Sequence, residues 1–311
     1  MRRFRFAVTA TRAGSGAEWA AKARQIEELG YDVLLVTDHL SPQLAPIPAL
    51  TAAAAATTRL RVGSFVFAND YRNPVMLAKE AATVDLLSDG RLEFGLGAGW
   101  ATPDYEMLGI PYDTPGVRVA RMTEALGLIR RCWAEDTVDH SGAHYTVRGT
   151  RVLPKPVQRP GPPLMIGGGG PVMLRLAARE ADIVALAPQV DHEGRPLFGH
   201  LTLGATAKKL EALRKAAGAR FETCELNAIV FDAGVTEDPT SVLEAVATRL
   251  KSAVTSVVES PYFLFGSLAQ LRAQLLARRE RLGITYYAVP EKVMVQFAPL
   301  ARELQRLGAT R

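Results

Sequence analysis

The sequence predicts a closed barrel of eight parallel β-strands surrounded by helices, the (β/α)8 or TIM barrel of the α/β class. Short β-branched or aromatic runs alternate with longer amphipathic segments along all 311 residues, as expected for a parallel sheet covered by helices. Eight such units follow one another without a compositional break that would mark a linker, so one domain over 1–311 is expected. An open doubly wound sheet is disfavoured because no G-x-G-x-x-G turn follows the first strand.

The individual elements follow from local patterns. Strands are predicted at 5–9, 33–37, 60–67, 92–96, 164–166, 183–186, 226–231 and 285–289. Helices are predicted at 18–29, where Gly30 ends the helix, and at 49–56, 74–87, 117–133, 171–180, 205–217, 241–258, 267–282 and 294–307. Residues 139–142 are interpreted as the turn of a hairpin between two short outer strands. Residues 189–203, a mixture of glycine, proline and histidine, are interpreted as an inserted mobile loop or lid.

Composition excludes several classes of protein. With 48% hydrophobic and 22% charged residues, the chain can bury a large core without a disulfide or a structural metal. Cys132 and Cys224 are far apart and fit a reducing cytoplasm, and no metal is expected. The net charge of +5 is scattered over helices without interleaved aromatics, so no nucleic acid is expected, and no apolar run is long enough to span a membrane. His140 and His144 have a spacing found in metal sites, but on a turn without a third ligand the solvated interpretation is favoured.

The carboxyl ends of the predicted strands gather the unusual residues of the chain. In such barrels the active site lies at these ends, so the residues should converge on one rim. They are Asp38 and His39 after the second strand, Asn69 after the third, Gly97, Gly99 and Trp100 after the fourth, and Gly167, Gly168, Gly169 and Gly170 after the fifth.

The four consecutive glycines are the most informative of these features. They lead from a strand into a helix that opens with Pro171, where backbone N–H groups and the positive helix end can hold a phosphate. The alternative is a tight turn without a ligand. At the rim, next to a second glycine-rich strand end, the loop favours a planar phosphorylated cofactor.

Three rim side chains each have two interpretations. His39 can act as a general acid or base, as histidines commonly do, or else serve as a cap or hydrogen-bonding residue. Asp38 can accept a hydrogen bond from a cofactor or cap the next helix. Trp100 can stack on a ring or pack within the fold.

Several blocks in order carry a family resemblance over almost the whole chain. They are GYD with VTDH within 30–39, RNP with LAKEAAT within 72–83, LLSDGR at 86–91, FGLGAGW at 94–100, KPVQ at 155–158 and IGGGGP at 166–171. The chain resembles the luciferase-like monooxygenase family, barrel oxidoreductases that use FMN or the deazaflavin coenzyme F420. The aspartate–histidine pair resembles the F420 branch, whose coenzyme carries an anionic phosphate and glutamate tail.

The resemblance implies an F420-dependent oxidoreductase that transfers a hydride to or from an unidentified small organic substrate. His39 would donate or accept the proton, Asp38 would help to hold the deazaflavin, and Asn69 would face the pocket. It also implies a non-proline cis peptide at Phe65-Val66, as a bulge against the back of the ring. Residues 81–84 are compatible with a homodimer contact and equally with core packing.

Two alternatives remain open on the sequence. One is an FMN-dependent luciferase-like monooxygenase that uses O2, and the other, of a different class, is a non-catalytic flavin-binding protein. The hexose-phosphate dehydrogenases of the F420 branch carry an acidic residue where this chain has Trp100. That difference favours a substrate with an apolar or aromatic surface.

Overall fold

The computed structural model describes residues 2–191 and 197–307. Its strands are β1 (Arg5–Thr9), β2 (Val33–Val36), β3 (Arg61–Ser64), β4 (Phe67–Ala68), β5 (Leu92–Gly97), β6 (Val138–Ser141), β7 (Thr146–Thr150), β8 (Leu164–Gly168), β9 (Ile183–Leu186), β10 (Glu225–Ile229), β11 (Asp232–Val235), β12 (Phe263–Gly266) and β13 (Tyr286–Pro290). The parallel order β3-β2-β1-β13-β10-β9-β8-β5 closes on itself because β5 also pairs with β3, and β4 continues β3. The predicted barrel of eight strand positions is confirmed.

The helices surround this barrel. They are α1 (Gly16–Glu28), α2 (Pro46–Ala55), α3 (Pro74–Leu87), α4 (Thr102–Leu108), α5 (Pro115–Ala134), α6 (Pro171–Glu180), α7 (Leu203–Ala217), α8 (Thr240–Leu250), α9 (Val254–Glu259), α10 (Leu268–Leu282) and α11 (Met294–Arg306). The helix predicted at 241–258 is wrong as a single element, because Lys251 adopts the left-handed conformation (φ 50°) and ends α8. The sequence prediction also missed α4 and the parallel pair β11–β12.

Burial on both faces explains why the strands have continuous apolar sequences. All residues of β2 and β5 are buried, since one face lines the barrel interior and the other contacts the helices. On α3, Ala81, Ala82 and Val84 also lie in the hydrophobic core, whereas Thr83 is partly exposed. Core packing therefore accounts for three of the four residues in 81–84.

A charged cluster occupies the amino-terminal end of the barrel interior. Glu93, with a side chain only 2% exposed, pairs with Arg5 and with Arg61, whose Nε lies 3.0 Å from Oε1. Tyr286 donates its hydroxyl to Glu93 Oε2 at 3.0 Å, and Arg5 also pairs with Glu225 at 2.6 Å. Each carboxylate inside the barrel thus has a cationic partner, as buried charge requires.

The hairpin exists, but its turn is not where the sequence placed it. Residues 139–141 belong to β6, and the chain reverses at 142–145, where Gly142 N–H donates to Tyr145 O at 2.9 Å. The carboxylate of Glu124 on α5 fixes this turn by accepting the backbone N–H groups of His144 (3.0 Å) and Tyr145 (2.8 Å). Glu124 also pairs with His140 Nε2 at 3.0 Å, so this histidine is held by a carboxylate that spacing alone did not reveal.

The loop predicted over 189–203 lies only partly within the described residues, because 192–196 fall outside them. Its described carboxyl-terminal part forms a short 3-10 helix, Phe198–Leu201. Leu201 is buried, and its carbonyl accepts the Ser260 hydroxyl at 2.6 Å. This end of the loop is therefore anchored to the chain segment before β12.

Within 2–191 and 197–307, no helix has both the length and the apolar character that a membrane crossing requires.

Candidate active site at the barrel mouth

His39 and Asp104 form the central pair of the rim. His39 follows β2, and its Nδ1 lies 2.7 Å from Oδ2 of Asp104 on α4. The histidine side chain is 27% exposed and the aspartate side chain only 5%, so the carboxylate lies behind the ring. A carboxylate at Nδ1 fixes the proton of a neutral imidazole there, which leaves Nε2 as the nitrogen that can exchange a proton.

The Asp104 carboxylate is itself held in place. It accepts the Leu40 backbone N–H at 3.1 Å and the Tyr71 hydroxyl at 3.2 Å. Burial, together with the nearby Asp104 charge, raises the pKa of Tyr71, so the phenol keeps its proton and donates it. The sequence analysis missed Asp104, although a Thr-Pro-Asp start is a helix signal that could have found α4.

Trp100 lies beside this pair. Its ring meets the His39 ring edge-on, with centroids 5.2 Å apart and an interplanar angle of 78°. The residue is 43% exposed, so Trp100 lines the mouth instead of packing in the core. An apolar wall therefore stands next to the imidazole.

Asp38 is turned into the protein. It is 7% exposed and forms a bidentate pair with Arg72, in which Nη2 lies 2.8 Å from Oδ1 and Nη1 bonds Oδ2. The Ala68 backbone N–H also donates to Oδ2, at 2.9 Å. The helix-capping interpretation is wrong, because α2 has Ala45 as its N-cap. Asp38 instead joins the ends of β2 and β4 below the mouth.

Asn69 is buried beneath the rim and connects it to the hairpin. It is 1% exposed, and its side-chain Nδ2 donates to the Tyr145 hydroxyl at 3.3 Å and to Asp70 at 3.2 Å. Asp70 in turn accepts from Arg121 at 2.9 Å. The sequence analysis missed Tyr145, whose position depends on the Glu124-fixed turn.

The peptide between Phe65 and Val66 is cis, as the resemblance implied. A Cβ added to Gly97 would lie 2.8 Å from Val66 Cγ2, and one added to Gly167 would lie 3.3 Å from it. These two glycines therefore make room for the Val66 side chain. Phe65 packs inward in the barrel core, while Val66 is partly exposed at the mouth.

The remaining rim glycines divide into two kinds. Gly99 has φ +76°, and a Cβ there would collide with the Tyr105 hydroxyl. A Cβ on Gly168 would lie 2.8 Å from Met173 Cβ, and one on Gly169 would lie 2.8 Å from the Pro188 backbone. At Gly170 a Cβ would meet no atom of the described residues within 4 Å. The glycines before it are thus required by the fold, whereas Gly170 has no such constraint from the part of the chain that the structure describes.

Gly170 is also the N-cap of α6, and no side chain caps this helix. Among the described residues no side chain satisfies the positive end of α6, which leaves its backbone N–H groups for an anion. With Trp100 and Val66 as apolar surfaces and His39 as a titratable group, the residues present fit a planar ring with a phosphate.

The sequence of this chain is similar to those of known proteins. Residues 3–280 match the family described as luciferase-like monooxygenase. The chain is 34% identical over 176 residues to an F420-dependent glucose-6-phosphate dehydrogenase of Amycolatopsis mediterranei, covering 53% of this chain and 50% of that protein. It is 31% identical over 230 residues to the protein of that name from Kineococcus radiotolerans, covering 71% and 65%. The chain thus spans between half and two thirds of the length of these relatives.

Solved structures share the fold. The monooxygenase RslO1 from Streptomyces bottropensis has a TM-score of 0.74 at 23% identity, covering 97% of this chain and 98% of that one. An F420-dependent secondary alcohol dehydrogenase has a TM-score of 0.77 at 18% identity, covering 96% and 98%. Because the family match extends over most of its length, this chain belongs to the luciferase-like monooxygenase family.

Proposed function

We propose that this protein is a coenzyme F420-dependent oxidoreductase that transfers a hydride between the deazaflavin and a small organic substrate. The observation that carries the proposal is the His39–Asp104 pair, 2.7 Å apart at the barrel mouth beside Trp100. Hydride transfer requires that one proton is also added to or removed from the substrate, and His39, oriented by Asp104, can act as the general acid or base for that step. The names of the curated relatives support the same cofactor.

The residues of the chain have separate roles in this proposal. The bound deazaflavin supplies a carbon that accepts or releases hydride. His39 Nε2 gives or takes the substrate proton, and Asp104 holds the ring in the required tautomer and orientation. Val66, Trp100 and Gly170 would contact the cofactor directly, with the phosphate at Gly170. The other expected site residues would hold the strand ends and loops around it; they are Asp38, Phe65, Asn69, Gly97, Gly99, Gly167, Gly168 and Gly169.

Trp100 influences which substrates fit the mouth. An apolar ring stands beside His39, and we propose that it favours a substrate with an apolar or aromatic surface over a sugar phosphate. We place the enzyme in the cytoplasm, in keeping with its two free, buried thiols, Cys132 and Cys224.

A parallel titration of the purified protein with F420 and with FMN tests the cofactor. We expect binding of F420, with its visible absorbance bleached when a substrate donates hydride. Binding of FMN without F420, together with oxygen uptake in the presence of reduced FMN and substrate, would identify a monooxygenase and end the proposal. Cofactor binding without turnover of any candidate substrate would favour a flavin-binding protein.

Substitution of Gly170 by alanine tests the phosphate site. Because the added Cβ meets no atom of residues 2–191 and 197–307 within 4 Å and φ is −83°, Gly170→Ala should leave the melting temperature unchanged. The methyl group would instead obstruct the phosphate, so we expect the Kd for F420 to rise about tenfold, the cost of about one charge-assisted hydrogen bond. Fluorescence titration measures the Kd and calorimetry the melting temperature.

Two further variants serve as controls for this experiment. Gly169→Ala should lower the melting temperature, since its Cβ would press on the Pro188 backbone. Gly127→Ala, on the exposed face of α5, should change neither binding nor folding adversely. Unchanged F420 affinity in Gly170→Ala would show that the phosphate does not bind at this loop.

A further inference from the structure

A groove runs along the outside of the barrel between α6 and α7. It is a cavity of about 670 Å³ that opens at the rim between Gly169 and Gln189 and continues along α7 as far as Lys215. From Ala205 to Lys215 the helix rises roughly 15 Å at about 1.5 Å per residue. An occupant of this groove must therefore be extended.

Cationic side chains border a groove whose lining is otherwise mostly apolar. Arg175 on α6 and Lys208 and Lys215 on α7 line it and are exposed, and no carboxylate of the described residues lines it. Lys208, Ala212 and Lys215 share one face of α7, with the small alanine between the two cations. The groove is thus a narrow channel with a cationic border.

Within the described part of the chain, these three cations have no acidic partner. Elsewhere on the surface, helix arginines pair with acids, as in Arg130 with Glu180 and Arg272 with Glu303. Among residues 2–191 and 197–307, no carboxylate forms an ion pair with Arg175, Lys208 or Lys215. Unpaired like charges along one channel repel one another, so a bound polyanion would relieve that repulsion.

A fourth cation in the groove, Lys209, has a structural role. Lys209 is 6% exposed, and its Nζ donates to the carbonyls of Ala187 at 2.8 Å and His200 at 3.3 Å. Burial lowers the pKa of Lys209 to about 8. This lysine supports the loop around the groove, and its substitution would confuse folding with binding.

We propose that the groove binds the acidic glutamate tail of the deazaflavin coenzyme. The proposal rests on the proposed function, and it adds a second anchor outside the catalytic mouth. Gly169 belongs both to the glycine loop and to the groove, so a chain leaving a phosphate at Gly170 enters the groove directly and meets Arg175, then Lys208 and Lys215. A single phosphate would span neither the length nor the charge of this channel, whereas an extended oligocarboxylate matches both.

The test compares the affinity of the purified protein for two forms of F420. One form carries the long glutamate tail, and the other keeps the phosphate but only one glutamate. At low ionic strength we expect wild-type protein to bind the long-tailed form about tenfold more tightly, since a few partly exposed ion pairs each contribute a small factor. Added salt should reduce this preference, because screening weakens exposed pairs.

The variant Lys208→Ala/Lys215→Ala should lose the preference and still bind the one-glutamate form with wild-type affinity. A matched control, Arg24→Ala/Lys79→Ala, removes two exposed cations from α1 and α3 and should keep the preference. Equal affinity of wild-type protein for both forms, or an intact preference in the α7 variant, would overturn the groove proposal while F420 dependence stands. Failure of both forms to bind would overturn both proposals.

Discussion

Replacing His39 by alanine is expected to lower kcat for hydride transfer by about 10² to 10⁴, the usual range for loss of a positioned general acid or base. The variant should fold and bind F420 normally, because the His39 side chain is partly exposed and its hydrogen bond goes to Asp104, which Leu40 and Tyr71 also hold. Stopped-flow absorbance of the deazaflavin, with any substrate that the wild-type protein turns over, measures the rate.

Asp104 provides the finer version of this test. Asp104→Asn keeps the shape but removes the charge at Nδ1, so kcat should fall by about tenfold or more while the Kd for F420 stays constant. A purely structural role would instead change binding, folding and turnover together. His144→Ala is the matched histidine control, since this residue lies on the hairpin turn. Wild-type turnover in His39→Ala would show that the proton is moved by another group.

Replacing Glu93 by alanine is expected to destabilise the fold by about 3 kcal/mol, the lower end of the range for breaking a buried ion pair. The loss leaves Arg5 and Arg61 without their shared carboxylate and removes the acceptor of the Tyr286 hydroxyl. The lower end applies because the two arginine side chains are 21% and 27% exposed and water can reach them. Urea unfolding gives the free energy from the midpoint and the slope.

Two further variants separate charge from burial at this site. Glu93→Gln fills the same space and can still accept hydrogen bonds, so it should cost less than the alanine variant. Glu106→Ala removes an exposed carboxylate from α4 and should change stability by less than about 0.5 kcal/mol. A loss in Glu93→Ala no larger than that of the Glu106 control would mean that the barrel interior does not depend on this cluster.

Local patterns were sufficient for the architecture. Buried strands and amphipathic helices differ in period and length, so the eight strand positions and most helix bounds could be predicted within a few residues. Prediction failed where the local sequence is compatible with more than one local structure. The helix at 241–258 has an amphipathic pattern throughout, but the turn at Lys251 divides it, and the hairpin turn moved because Glu124 accepts the backbone N–H groups at 144–145.

Local features are enough to predict that this chain folds as a barrel with Asp38, His39, Trp100 and the glycine turns at its strand ends, because closure of the barrel brings those ends together. The partners of these residues are visible only in the packed fold: Asp104 for His39 across 65 residues, Arg72 for Asp38, and Val66 over the glycines. Periodicity records which face of an element is buried. Which side chain meets which across the barrel depends on how separate elements pack, and no local pattern contains that.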